Sequence, residues 1–177
     1  PYTTLFRSGF DAAVCAEAMS SRIKDTMNRI GLGKLTYLGI ALKQLITARK
    51  VSCTLTLEDK VHDKKESVEL PRFLFVTCMS HRYEGGGFMF CPPAVDHDGV
   101  LDLCSVGNIS KGLVLLALPT AFFGKHYFVK GINAHTATQM SITASAPLWV
   151  HTDGEVTRKS RGFRVECLPG AIRMITP

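Results

Sequence analysis

The sequence lacks any C-x-x-C pair: its six cysteines, Cys15, Cys53, Cys78, Cys91, Cys104 and Cys167, stand far apart. Without clustered Cys and His ligands a zinc framework is excluded. Several of these cysteines fall in apolar runs (T-C-M, L-C-S, E-C-L), where a free thiol packs as a small hydrophobe. A reduced, cytoplasmic protein is expected. Long hydrophobic runs are also missing. The longest, Leu113 to Phe123, contains Pro119 and is far short of the roughly 20 residues that cross a bilayer. With no secretory signal at the start, any meeting with a membrane is expected to be peripheral. There is no G-x-S-x-G, H-E-x-x-H or Walker A motif, so hydrolase and P-loop chemistry lack support. No aromatic-basic module points to nucleic acid, and no repeat, acidic tail or low-complexity segment interrupts the chain.

What remains is a globular composition: 177 residues, 46% hydrophobic and 20% charged. A domain of that size buries roughly 70% of its unfolded surface and folds without disulfides. The net charge of +6 permits an anionic partner without choosing among nucleic acid, phosphorylated substrate and membrane surface.

Residues 1–8, P-Y-T-T-L-F-R-S, join poorly to the helical pattern after them and are read as a non-native scar outside the fold. From Asp11, a suitable N-cap, Ala12, Ala13, Ala16 and Met19 predict a helix that Gly31 and Gly33 punctuate. A second helix begins near Lys34, with Leu35, Leu38, Leu42, Leu45 and Ile46 as one apolar stripe. After Lys50 the period becomes two, predicting strands at Val51–Leu57, Val68–Leu70, Arg72–Met79 and Val100–Val106. The charged piece Glu58–Glu66 reads as a solvated hairpin loop. Ser110 caps a helix to Phe123 that Gly124 closes, and strands follow at 139–144, 148–152, 163–168 and 171–175. The expected fold is mainly β (α+β): an antiparallel β-sandwich with two N-terminal helices and one further helix.

Two stretches carry candidate chemistry. In Glu84–Leu103, E-G-G-G-F-M-F-C-P-P-A-V-D-H-D-G-V-L-D-L, three glycines allow close approach to the backbone and two prolines stop any helix. Asp98-Gly99 then marks a tight turn. Asp96, Asp98 and Asp102 are three carboxylates that could hold a hard cation through oxygen, although the spacing is not that of an EF-hand. The second stretch is Asp153-Gly154-Glu155, read first as a type I′ hairpin turn. A turn is compatible with a site, since Glu155 on a rigid hairpin could act as general base toward a hydroxyl. His151 would share the face of Asp153 on an extended strand. Arg158, Lys159 and Arg161 form a wet loop able to neutralise phosphate. His81, His97, His126 and His135 are isolated and read as surface or packing residues.

G-F-D-A-A-V at Gly9–Val14, E-G-G-G-F-M-F-C-P-P-A at Glu84–Ala94, D-H-D-G-V-L-D-L at Asp96–Leu103 and D-G-E at Asp153–Glu155 occur in this order. Together they resemble the C-terminal half of the bacterial diacylglycerol kinase-like lipid kinases, relatives of the sphingosine kinases. The resemblance covers Gly9 to Pro177 and implies a two-lobe enzyme whose N-terminal lobe binds ATP through a G-G-D-G-T loop. That loop is missing here, so residues 9–177 are expected to be the β-sandwich substrate lobe, inactive alone. The resemblance further implies that Glu155, with Asp153 in the same catalytic motif, accepts the proton of a lipid hydroxyl such as that of diacylglycerol. Gly85, Gly86 and Gly87 would lie against ATP. A structural Mg2+ would take the Asp98 side chain and the carbonyls of Val95 and Val100. Acyl chains are expected between the sheets. Where relatives often carry Asn before the glycine run, this chain has Ser80-His81. The expected location is cytoplasmic and peripheral at the membrane surface, with a homodimer left open. Two other readings stand beside this one: the sandwich half of an NAD kinase-like enzyme, and a non-catalytic lipid- or protein-binding sandwich.

Overall fold

In the computed structural model, which describes residues 5–20, 33–49, 51–84, 87–153 and 155–171, the chain opens on a strand that sequence reading had set aside. β1 (Leu5–Gly9) is buried at every position. It pairs antiparallel with both β3 (Lys64–Met79) and β6 (Gln139–Thr152). Excluding residues 1–8 from the fold therefore fails for Leu5–Ser8. L-F-R-S is too short and mixed to announce a strand, and only neighbours on both sides make it one. Gly9 ends it with φ +97°, and a Cβ there would sit 2.3 Å from the Leu74 carbonyl oxygen. Only glycine lets the chain pass so close to β3 and turn into a helix.

That helix, α1 (Phe10–Ser20), places Asp11 inside its first turn rather than at the cap. α2 (Gly33–Thr47) begins at Gly33, one residue before the expected start near Lys34. Its stripe is only partly inward: Leu45 is buried, while Leu42 and Ile46 are exposed. β2 (Val51–Asp59) and β3 form a hairpin whose loop is just residues 60–63, so both strands run into the charged segment expected as loop. β3 continues through Pro71, which has no cross-strand partner in the ladder and lies beside a register shift near Phe73. Proline lacks the N–H a ladder needs, so the strand bends there and continues.

β4 (Leu101–Gly107) is buried along its whole length because both its faces are covered. Ser110 caps α3 (Lys111–Ala117), its hydroxyl accepting from the Leu113 N–H at 3.2 Å. The helix expected to reach Phe123 becomes a 3-10 segment from Leu118, with Pro119 at its start. Gly124, φ +64°, closes it as anticipated. A 3-10 turn at His126–Phe128 leads to β5 (Ile132–Ala137), a strand absent from the sequence-based assignment. β6 bridges the expected gap at residues 145–147, and β7 (Glu155–Glu166) is longer than foreseen. The strand expected at 171–175 lies almost wholly outside the described residues.

The mainly antiparallel β fold with N-terminal helices is thus the one observed. The seven strands among the described residues hydrogen-bond in the order β1-β6-β2-β3-β4-β5, with β7 on β6. β1 also pairs with β3, closing β1, β6, β2 and β3 into a ring. One core fills this ring, with Phe6, Leu55, Phe73, Val76, Met140 and Ile142 buried together. Each such side chain contributes about 1.5–3 kcal/mol by leaving water. A second core, including Leu45, Phe75, Met79, Cys104 and Val106, lies on the outer face of β3 and β4, under the helices. The glycine-run stretch reaches this second core through Phe90, Cys91 and Ala94.

Candidate active site

Register brings the motifs to one end of the sheet. Met79, the last residue of β3, stands opposite both Leu5 on β1 and Asp102 on β4. Thr152, the last residue of β6, faces Phe6 and also Glu155, the first residue of β7. The ends of β3 and β6 and the starts of β1, β4 and β7 therefore form a single rim. At ~4.8 Å between strands, β4 and β6 are separated along it by roughly 14 Å.

The D-G-E segment is the two-residue hairpin turn the sequence suggested, with Asp153 at φ +41°. Asp153 also fastens this turn to β1. Its Oδ1 accepts the Leu5 N–H at 2.9 Å, and its own N–H donates to the Leu5 carbonyl at 3.1 Å. Glu155, one position beyond the turn, has an exposed side chain with no hydrogen bond or ion pair among the described residues. His151 does share the Asp153 end of β6, but it is buried opposite Arg7. Arg158, Lys159 and Arg161 lie on β7 rather than in a loop, and Lys159 sits 4.5 Å over the Trp149 ring.

One buried ion pair escaped sequence reasoning. Arg7 on β1 forms an ion pair with Glu84, the residue that opens the glycine run, and both side chains are more than nine-tenths buried. Arg7 stands between Thr77 of β3 and His151 of β6 in the register. The Glu84 N–H donates to the Phe88 carbonyl at 2.7 Å. Gly85 and Gly86 lie outside the described residues. Gly87 has φ +89°, and an added Cβ would meet only the Phe122 ring at 3.9 Å, so its backbone conformation rather than crowding requires glycine there. The signal for the pair was an arginine at an alternating position in L-F-R-S, which became readable only once that segment was a strand.

The D-H-D-G-V turn is held by Asp98 Oδ1, which accepts the Val100 N–H at 3.0 Å, with Gly99 at φ +77°. Asp96 is occupied by His97 at 2.7 Å, out in solvent. Asp102 is nearly buried at the start of β4, and burial, then the charge of Asp98, push its carboxyl up to about 6. A small cavity of about 140 Å³ lies beside it, lined in part by Cys91, Tyr127 and His135. The expected magnesium donors (Asp98 and the carbonyls of Val95 and Val100) are all oxygens, as a hard cation prefers. A cation there would relieve the repulsion between Asp98 and Asp102. No cluster of three or more His, Cys, Asp or Glu side chains converges among the described residues. Such an ion would depend on backbone carbonyls and water.

An apolar cavity of about 310 Å³ opens between the helices and the outer face of β3 and β4. Phe10, Leu45, Phe75, Val106 and Ala121 contribute to its wall. The expectation of acyl space between sheets is corrected on this point. The ring interior is filled by its own core, and the open apolar volume lies under the helices. Phe90, at the end of E-G-G-G-F-M-F, lines it too, so this stretch runs from the buried ion pair to the cavity wall. His126 is the polar member of that wall. Its Nε2 donates to the Phe90 carbonyl at 3.2 Å, an acceptor shared with the Tyr127 hydroxyl at 2.6 Å. Its buried Nδ1 has no hydrogen-bond partner. Burial lowers the imidazole pKa, partly offset by the Phe90 bond.

A family model described as the YegS C-terminal NAD kinase beta sandwich-like domain matches residues 5–176. A probable lipid kinase YegS-like protein of Xanthomonas campestris is 30% identical over 148 residues, 82% of this chain and 45% of that protein. A diacylglycerol kinase of Mycobacterium tuberculosis is 25% identical over 166 residues, covering 93% and 51% respectively. A crystal structure of a diacylglycerol kinase from Bacillus anthracis superposes with a TM-score of 0.54 and 16% identity, over 95% of this chain and 47% of that one. That last likeness is one of fold. The chain spans about half the length, or less, of the curated relatives it matches.

Proposed function

The chain belongs to the family of YegS C-terminal NAD kinase beta sandwich-like domains, and from that membership we propose that it is the substrate-side lobe of a lipid kinase. The reaction is transfer of a phosphoryl group from ATP, with Mg2+, to the hydroxyl of diacylglycerol or a similar lipid alcohol. ATP is held mainly by a further lobe, with Gly85, Gly86 and Gly87 against it. The work is done at the cytoplasmic membrane surface, without crossing it.

The observation that carries this reading is the shared rim. Along it lie an exposed carboxylate on a fastened hairpin, the Asp98 turn whose oxygens would suit a hard cation, and a stretch whose Phe90 lines an apolar cavity. Phosphoryl transfer is mostly positioning and charge stabilisation. Glu155 is the proton acceptor for the lipid hydroxyl. Asp153, already engaged with Leu5 on both its backbone and its side chain, positions that hairpin rather than reacting. Mg2+, held at Asp98, Val95 and Val100, would supply fixed positive charge that keeps the rim's carboxylates in place. The cavity is roughly twice the 150 Å³ of an apolar cavity that admits benzene, which suits a segment of acyl chain. Its lining, apolar apart from His126, also fits a lipid better than the nucleotide expected of an NAD kinase.

The test uses the complete gene product with labelled ATP, Mg2+ and diacylglycerol in mixed micelles. Glu155→Ala should lower turnover by about 10²–10⁴-fold while ATP binding survives, and chelating Mg2+ should abolish transfer. Unchanged turnover in Glu155→Ala would remove the base assignment. Lipid binding with no phosphorylation by the wild type would favour the non-catalytic sandwich.

A further inference from the structure

The chain exposes large apolar side chains on one short segment. In α3 and the two 3-10 turns after it, Leu116 is 74% exposed, Phe123 74% and Phe128 88%. Side chains of that size at such exposure are otherwise few among the described residues, and here they fall within thirteen positions. The charge along this segment is of one sign. From Leu103 to Thr152 the sequence contains no Asp or Glu, while Lys111, Lys125 and Lys130 interleave with the apolar residues. Lys125 and Lys130 are exposed and take part in no ion pair among the described residues. Lys111 donates to the Ile46 carbonyl, tying the start of α3 to the end of α2, where Ile46 is 62% exposed.

The same surface borders the apolar cavity. Leu42 of α2 and Leu115 of α3 both line it, and both are about two-fifths exposed. They form a mouth from which an acyl chain can pass between cavity and exterior along apolar side chains. A second protein would need acidic groups to meet the lysines and would cover this mouth. An anionic bilayer satisfies both features: phosphate headgroups for the lysines, hydrocarbon for the aromatic and leucine side chains.

We infer that the surface formed by α3, the 3-10 turns and the C-terminal end of α2 docks on an anionic lipid bilayer, with Leu116, Phe123 and Phe128 inserted and Lys125 and Lys130 at headgroup level. This deepens the lipid kinase reading by naming the face on which lipid is met.

The experiment is co-sedimentation of the complete gene product with phosphatidylcholine vesicles, with or without phosphatidylglycerol. No ATP or diacylglycerol is present, so catalysis does not enter the readout. Wild type should bind the anionic vesicles and bind neutral ones weakly. Leu116→Gln/Phe123→Gln/Phe128→Gln should lose at least about 100-fold of vesicle affinity. Lys125→Gln/Lys130→Gln should lose about 25-fold, at about fivefold per lysine, and only on anionic vesicles. Thermal melting should stay unchanged, because these side chains are exposed. Phe128→Trp offers a check independent of the multiple variants: brominated acyl chains should quench its fluorescence beyond the native Trp149 signal. Vesicle binding unaltered in both variants would overturn the assignment, as would loss of self-association with vesicle binding intact, which would make the face an interface between copies. A protein that docks through this face but phosphorylates no lipid would leave the inference standing and remove the kinase reading instead.

Discussion

The Arg7–Glu84 pair makes this fold sensitive to a single substitution. Both side chains are more than nine-tenths buried, and they join the first strand to the turn that opens the glycine run. Removing one partner takes this counter-charge from the other buried charge, a loss of about 3–5 kcal/mol for a buried pair. A domain of this size has a total stability of about 5–15 kcal/mol, so Arg7→Met or Glu84→Leu takes a large share of it. At about 2–4 °C per kcal/mol for a chain of this length, the melting temperature should fall by about 6–20 °C. The double variant is the sharper measurement. With both charges replaced by apolar groups of similar size no charge is stranded, and such replacements are often neutral. The loss in Arg7→Met/Glu84→Leu should therefore be well below the sum of the singles, a coupling beyond the roughly 0.5 kcal/mol expected of independent sites. Urea denaturation of the four proteins gives the cycle. Additive losses, or singles costing less than about 1 kcal/mol, would refute the reasoning and make the contact a spectator.

Two further outcomes can be read on the same protein. Ala117→Leu should fill part of the apolar cavity that Ala117 lines, weakening binding of long-chain diacylglycerol in the complete gene product while sparing short-chain forms; equal loss for both would place the acyl chain elsewhere. Burial holds the His126 imidazole below its ordinary value of about 6.5, so the unfolded chain takes a proton at a higher pH than the native one. Stability is then complete above that range and falls as pH drops below about 6.5, and His126→Gln should flatten the slope measured by urea unfolding between about pH 7 and 5.

How much was legible in the sequence depended on how local its cause was. The Ser110 cap, the Gly124 closure and the D-G turn each rest on a residue and its immediate neighbours, and each stands where expected. Prolines were harder. Pro119 converts the rest of a helix to a 3-10 segment, whereas Pro71 sits inside a strand that bends and goes on. Sequence offers the missing N–H in both cases, but only the neighbouring strand decides whether it breaks the element. β5 was missed because I-N-A-H-T-A carries its apolar residues at the ends, and a strand with a single partner needs little more. β1 and the Arg7–Glu84 pair were invisible for a stronger reason. Their partners lie 77 and 148 positions away in the chain, and no spacing rule spans that distance.

These long-range contacts also bear on how the rim would work. A hairpin turn carrying a base is by itself a mobile thing, and a misplacement of about 1 Å can cost a reaction about 10²-fold. Here the turn is fastened through Asp153 to Leu5, at the start of the strand whose third residue, Arg7, is anchored by Glu84. Under the proposed mechanism, position would pass from Glu84 through β1 to the hairpin that carries Glu155 by these two contacts. Asp153→Ala removes the side-chain half of the clasp, a part-buried bond to the buried Leu5 N–H whose loss costs about 1–3 kcal/mol. If the clasp only held the fold, that variant would lower stability and leave turnover per folded molecule unchanged. If it positions the base, turnover in the complete gene product should fall by about tenfold or more while the Michaelis constant for diacylglycerol holds. Asp153→Asn, which keeps an oxygen to accept the Leu5 N–H, should restore most of it. Failure of Asn to rescue, or a fall confined to stability, would refute positioning by β1.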